Sequence, residues 1–181
     1  MSAREINKPR LVLGVDPGTA ITGYGMVRLA GGVVEPVIYG VITTPASLPL
    51  PVRLQHLYRQ LQTLIDAHHP TEASVEELFF ARNTRTALSV GHARGVILLA
   101  LADADLPTYE YTPLQVKQAI TGYGRAGKEQ MQQMVRLLLR LEAIPQPDDV
   151  ADALAVAICH AHSSATTLRL SGGSQVTGSE R

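Results

Sequence analysis

With a single cysteine, Cys159, the chain cannot close a disulfide within itself, which suits a reducing cytoplasm. Residues 1–10 are polar and hold no apolar core segment, so no signal peptide is expected. Nor is there a run of about 18 apolar residues of the kind that spans a membrane. An excess of either charge is also missing, because 16 Lys and Arg balance 16 Asp and Glu. That balance excludes a uniformly basic nucleic-acid binder and shifts attention to how the charge is distributed. The six histidines (His56, His68, His69, His92, His160 and His162) form no zinc-ligand spacing with Cys159. His160 and His162, near the end of the last predicted helix, read as surface or dipole-complementing residues. No internal repeat is found.

What remains is ordinary globular material: 181 residues, 45% hydrophobic and 18% charged, enough for one domain with its own core. Residues 1–9 read as a flexible N-terminus and residues 10–163 as a single domain. Residues 164–181 are rich in Ser, Thr and Gly and read as a disordered polar tail. Leu11-Val-Leu-Gly-Val15 is a short apolar run ending in Asp16-Pro17-Gly18, which predicts a buried strand and a tight turn. Thr22–Leu29 and Val33–Thr43 follow as strands of a meander. Leu54, Leu57, Tyr58, Leu61, Leu64 and Ile65 recur at helical spacing, so Pro51–His68 reads as an amphipathic helix stopped by Pro70. A strand over Ala73–Leu78, a helix from Asn83 or Thr84 to about Ala102, and a strand over Thr108–Tyr111 come next. Helices over Pro113–Thr121, Lys128–Leu141 and Asp148–His162 complete the pattern. The second long helix is Gly- and Ala-rich and nearly apolar all round after Arg94, which suggests burial, in part against a partner. A meander joined to βαβ units gives an α/β fold with a mixed five-stranded sheet flanked by helices. The ribonuclease H-like fold has this order.

The acids carry the chemistry. Asp16 ends an apolar strand, where an Asp commonly just opens a turn. Glu76 and Glu77 lie in an apolar strand and face opposite sides of the sheet; alternation alone does not choose between them. Asp148, Asp149 and Asp152 open the last helix, and Asp152 shares a face with either of the other two. Acids at a helix N-terminus complement its dipole, with Asp148 as a cap. That account fits Asp152 less well, because an apolar run follows it. Carboxylates converging on one place repel each other and call for a cation; oxygen-only ligands suit Mg²⁺ or Mn²⁺. The middle third is basic: Lys117, Arg125, Lys128, Arg136 and Arg140 face one acid, Glu129, and Arg82, Arg85 and Arg94 precede them. Such residues serve either as solvated helix faces or as a phosphate-binding surface. Gly122-Tyr-Gly-Arg-Ala-Gly127 is a weak glycine-rich signal.

Taken together, the segments resemble the RuvC family of Holliday junction resolvases over roughly Leu11 to His162. Leu13-Gly-Val-Asp-Pro-Gly-Thr-Ala-Ile-Thr-Gly-Tyr-Gly25 is similar to the first motif of that family. Val75-Glu-Glu-Leu-Phe-Phe-Ala-Arg-Asn83 resembles the second and points to Glu76. Leu88-Ser-Val-Gly-His-Ala-Arg-Gly95 and Gln115-Val-Lys-Gln118 also fit, and Asp149-Val-Ala-Asp-Ala-Leu-Ala155 resembles the last. The resemblance implies a ribonuclease H-like fold, a homodimer, and symmetric cleavage of four-way junction DNA in recombination and repair. It implies that Asp16, Glu76, Asp149 and Asp152 bind two Mg²⁺ per subunit, with Mn²⁺ able to substitute, leaving 5′-phosphate and 3′-hydroxyl ends. By the same carry-over, Phe79 stacks at the opened junction centre, Lys117 and Lys128 lie near the scissile phosphate, and Arg94 contacts the DNA backbone. Lys128 would neutralise charge in the transition state, and the RuvA and RuvB branch-migration proteins would be partners.

Three other readings share some of these features. An actin-like ATPase also uses a strand followed by an Asp-x-Gly-Thr turn, but needs two such lobes. A non-catalytic junction-binding module would not need the acids. Another nuclease of the same fold, acting on RNA–DNA hybrids, is disfavoured only weakly by the basic helices.

Overall fold

The computed structural model of the chain describes residues 9–77 and 84–172, with 84–87 and 164–172 as helical backbone alone. Five strands, β1 (Arg10–Asp16), β2 (Ile21–Ala30), β3 (Val33–Thr43), β4 (Glu72–Glu76) and β5 (Thr108–Tyr111), form one sheet in the order β3-β2-β1-β4-β5. The first three make an antiparallel meander, and β4 and β5 run parallel to β1. Helices α1 (Leu50–His68) and α2 (Thr84–Asp103) link the parallel strands. Helices α3 (Pro113–Thr121), α4 (Lys128–Leu138) and α5 (Asp148–Gly172) follow. This is the mixed five-stranded sheet flanked by helices that the sequence predicts.

The sheet has two buried faces. On one, Leu13, Val15, Met26, Ala73 and Val75 pack against α1 and α2. On the other, Val12, Val27 and Leu29 pack against α3, α4 and α5. Alternation along each strand makes this division, since successive side chains point to opposite faces. The second face is closed mainly by α5, whose Val150, Leu154, Ala157, Ile158 and Ala161 are all buried. A fully buried leucine such as Leu154 contributes about 1.5–3 kcal/mol. Helix α5 sits unusually close to the sheet: a Cβ on Gly14 would lie 2.2 Å from the Ala153 carbonyl oxygen. A side chain at position 14 would push the helix, and the acids at its start, away from β1.

Most element boundaries agree with the sequence within a residue or two, and two helices differ more. Helix α4 ends at Leu138 rather than Leu141. Arg140 adopts a left-handed conformation (φ 53°), its amide bonds to the Leu137 carbonyl, and the Leu141 amide bonds back to Arg136. That is a Schellman closure. Leu139 stays buried and Leu141 packs on the same core, so the apolar spacing outlasts the helix. Helix α5 runs to Gly172, ten residues beyond His162. Ala, Leu and Arg in that stretch propagate a helix that is already nucleated, and Ser and Thr do not stop it. Among the described residues no helix is long and apolar enough to cross a membrane.

Candidate active site

The fold brings the acids to one end of the sheet. In the β1–β4 register Val15 pairs with Val75, so Asp16 and Glu76 are the next residues along two adjacent parallel strands. Both face α5: Asp16 alternates with Gly14, which abuts Ala153, and Glu76 alternates with the inward-facing Ser74. Glu77 lies past the strand and is exposed, so the structure selects Glu76. Across β1, Asp16 pairs with Gly23 of β2. A Cβ on Gly23 would stand 2.0 Å from the Asp149 carbonyl oxygen, so this glycine admits the first turn of α5. Asp149 is thereby set beside Asp16, and Asp152, one turn on, is set beside Glu76.

Glu76 and Asp152 line a cavity of about 230 Å³ with Lys117, Lys128, Pro113, Val116, Met131 and Ala155. Helix α3 supplies one lysine and α4 the other. A Thr112–Gln115 capping box fixes the start of α3, and α4 begins at Lys128 itself. The Lys128 ammonium pairs with Asp148 and lies 3.9 Å from Asp152. Met131, Val116 and Ala155 form an apolar wall to the cavity that the sequence reading did not assign. The signal was available, because Met131 lies three residues after Lys128 and Val116 adjoins Lys117.

The electrostatics are those of an acid cluster short of positive charge. Burial, then the charges of Glu76, Asp152 and Asp149, push Asp16 up to about 8, against an opposing pull from Lys128. Burial, then Asp152, pushes Glu76 up to about 7, against Lys117. Asp152 is raised by burial, with Lys128 opposing and Asp148 and Asp149 adding to the rise. Asp148 alone is lowered, by its bond to Lys128. Two like charges about 6 Å apart repel by about 3 kcal/mol at an effective dielectric near 20. Two ammonium groups therefore do not neutralise four carboxylates, and a divalent cation would. Among the described residues, no three such groups are close enough as they stand to grip one ion. The all-oxygen donor set fits a hard divalent cation.

Not every expected residue joins this site. Arg94 pairs with Glu110 of β5. Glu110 is the register partner of Val75, so this pair lies on the α1–α2 face, opposite the acids. Phe79, Arg82 and Asn83 lie outside the described residues. Asp148 is the first residue of α5 rather than a residue flanking it, and its carboxylate is taken by Lys128. His160 corrects the sequence reading outright, since it is 1% exposed. Its ring stacks on Tyr109, its Nδ1 hydrogen-bonds with the Tyr111 hydroxyl (2.7 Å) and its Nε2 donates to Glu72 (2.6 Å). The position was misread because α5 continues past it and keeps it under the sheet.

A mixed sheet ending in a cluster of uncompensated carboxylates, walled by lysines, defines a phosphodiester-cleaving nuclease of the ribonuclease H-like fold. The family model for "Crossover junction endodeoxyribonuclease RuvC" matches residues 12–160. The chain is 59% identical over 162 residues to the protein of that description from Desulfitobacterium hafniense, covering 90% of this chain and 98% of the relative. It is 57% identical over 157 residues to the one from Chloroflexus aggregans, covering 87% and 96%. Among solved structures it superposes on T. thermophilus RuvC in complex with a Holliday junction substrate, with a TM-score of 0.83. Identity there is 36%, over 87% of this chain and 96% of that one. The chain belongs to the RuvC family of crossover junction endodeoxyribonucleases.

Proposed function

We propose that this protein resolves four-way DNA junctions by metal-dependent nicking at the carboxylate cluster of Asp16, Glu76, Asp149 and Asp152. The observation that carries the reading is electrostatic. Half-buried acids contributed by β1, β4 and α5 meet with too little positive charge, and withdrawing charge from water without compensation is costly. The four carboxylates would hold Mg²⁺, with Mn²⁺ as a substitute, and the number of acids suits two ions. Two bound ions would supply an activated water and stabilise the departing 3′ oxygen. Lys117 and Lys128, on the cavity wall, would hold the scissile phosphate. Lys128 also sits where negative charge grows in the transition state.

Residues 10–163 form the nuclease unit in this reading. A homodimer is supported by α2, whose exposed side carries Leu88 (65% exposed) and Leu99 (54%) with the open Gly95 between them. A two-fold pair of sites would cut two strands of like polarity. Phe79 at the junction centre, Arg94 on the backbone and RuvA–RuvB as motor partners remain part of the proposal. Arg94 would first have to leave Glu110. The test is a labelled four-way junction incubated with protein, with and without Mg²⁺ or Mn²⁺. Paired symmetric nicks that need the metal are expected. Junction binding without nicking under any metal would refute the reading.

A further inference from the structure

The turn that follows Asp16 is held from outside by a residue that belongs to none of the motifs. Residues 17–20 join β1 to β2, and three successive carbonyls there need donors. Gly18 receives the Thr22 hydroxyl at 2.6 Å. Thr19 receives the Thr44 hydroxyl and the Arg53 guanidinium, the latter through Nη2 at 2.8 Å. Ala20 receives the Thr44 amide at 2.9 Å. Arg53 Nε also donates to the Thr44 hydroxyl at 3.0 Å, so its fork spans both partners. Thr19, Thr22 and Thr44 are all buried. On its other side the Thr19 hydroxyl bonds to Ser89 of α2.

Helix stability does not explain why an arginine is here. Arg53 stands in the first turn of α1, where its amide bonds to the Pro49 carbonyl. That turn has no acid and no side-chain cap. A cation at a helix N-terminus is disfavoured by the dipole. The fork instead supplies a charge-assisted bond to a carbonyl three residues from Asp16.

We propose that Arg53 is a positioning residue for the carboxylate site: its fork on Thr19 and Thr44 fixes the turn that aims Asp16. This rests on the metal-dependent nuclease reading above. The alternative role for an arginine near such a site is a phosphate contact, which would act on DNA affinity rather than on the geometry of the acids.

The full-length protein and its variants Arg53→Met, Arg53→Lys, Thr44→Val and Thr44→Ser separate these roles. Three readouts are taken: single-turnover nicking of a four-way junction at saturating protein, junction affinity with Ca²⁺ in place of Mg²⁺, and Mn²⁺ binding to DNA-free protein followed by electron paramagnetic resonance. Arg53→Met is expected to slow nicking by roughly 10–100-fold and to weaken Mn²⁺ binding roughly tenfold, with junction affinity unchanged. Arg53→Lys keeps the charge but loses the fork, so it should fall between. Thr44→Val should slow nicking several-fold and Thr44→Ser should restore it. Wild-type rate and Mn²⁺ binding in Arg53→Met would overturn the proposal, as would a loss confined to junction affinity. If Arg53→Met fails to fold by circular dichroism, the Thr44 pair decides, and equal rates for Val and Ser overturn it. A wild-type protein that neither nicks nor binds Mn²⁺ would instead sink the nuclease reading.

Discussion

Glu72 and Glu76 lie on one strand, face the same side of the sheet, and meet opposite fates. Glu72 opens β4 beneath α5, where the chain supplies what a buried carboxylate needs. Arg10 grips it through a two-point ion pair and His160 donates a further hydrogen bond. Burial would raise its pKa, but the bonds from His160 and Arg10 outweigh that and hold it at about 2. Glu76 closes the same strand beside Asp152, with the charge of Lys117 as partial relief but no ion pair, and stands at about 7. The fold can therefore neutralise an acid under α5 and does so two pleat repeats away on the same strand. Where it withholds a direct partner, the acid's pKa rises instead. Under the proposed function, the contrast separates an acid that holds the structure together from one that would receive a cation.

The sharpest way to break that contrast is at Asp16, the most strongly raised member of the uncompensated end. Asp16→Asn keeps the shape and removes the charge. It should lower single-turnover nicking by at least about 10³-fold, about 4 kcal/mol of transition-state stabilisation. Junction affinity, which depends on phosphate contacts, should change little. The check is a rapid-quench nicking assay alongside a binding isotherm. Nicking within tenfold of wild type would show that the uncompensated acids are not the reacting site.

The two ends also predict opposite limbs of a pH profile. Asp16 and Glu76 ionise near pH 3.8 and 4.5 in an unfolded chain, but at about 8 and about 7 when folded without metal. Between those limits the folded state binds more protons, so metal-free stability falls as pH rises from about 4.5 to about 8. Glu72, lowered from 4.5 to about 2, has the reverse sign. Its stabilisation is complete above its unfolded pKa and is lost as pH falls toward 2. Thermal melts in EDTA should thus peak near pH 4 and drop by roughly 10–20 °C between pH 5 and pH 8. Saturating Mn²⁺, which binds the deprotonated acids, should flatten the upper limb. A metal-free profile that is flat between pH 5 and 8 would remove the distinction.

How much of this could be read from the residues differs between the two ends. Local pattern marked Asp16, the Glu76–Glu77 pair and the aspartates that open α5 as candidates, and only the resemblance to a known family chose Glu76, Asp149 and Asp152 among them. The strand order was legible because β-branched runs, glycine turns and 3.6-residue spacing alternate cleanly. The Glu72 cluster was not legible. It joins Arg10, Glu72, Tyr109, Tyr111 and His160 across the starts of β1 and β4, the β5 strand and the middle of α5, and no local spacing announces such a meeting. Arg53 escaped for a similar reason, as its partners are a carbonyl and a hydroxyl, which carry no sequence signature. Arg94 shows the converse, because its motif position is clear while its pairing with Glu110 is set by the register of β5.

The smallest effect is the most discriminating, because it reverses sign along one strand. Glu72→Gln would leave the Arg10 guanidinium without its ion pair, in a group whose Nη1 already lacks a partner. It should destabilise the metal-free protein by about 2 kcal/mol, roughly 4–8 °C. Glu76→Gln deletes a charge that Lys117 balances only in part, so in EDTA at pH 8 it should stabilise by about 1 kcal/mol, roughly 2–4 °C. Packing and charge can be told apart by repeating the melts at pH 5.5. Glu76 is then protonated in the wild type, and a neutral Gln of the same shape should bring no gain. A gain of the same size at both pH values would assign the effect to packing, and a loss at pH 8 would mean that Glu76 already has its compensating partner within the chain.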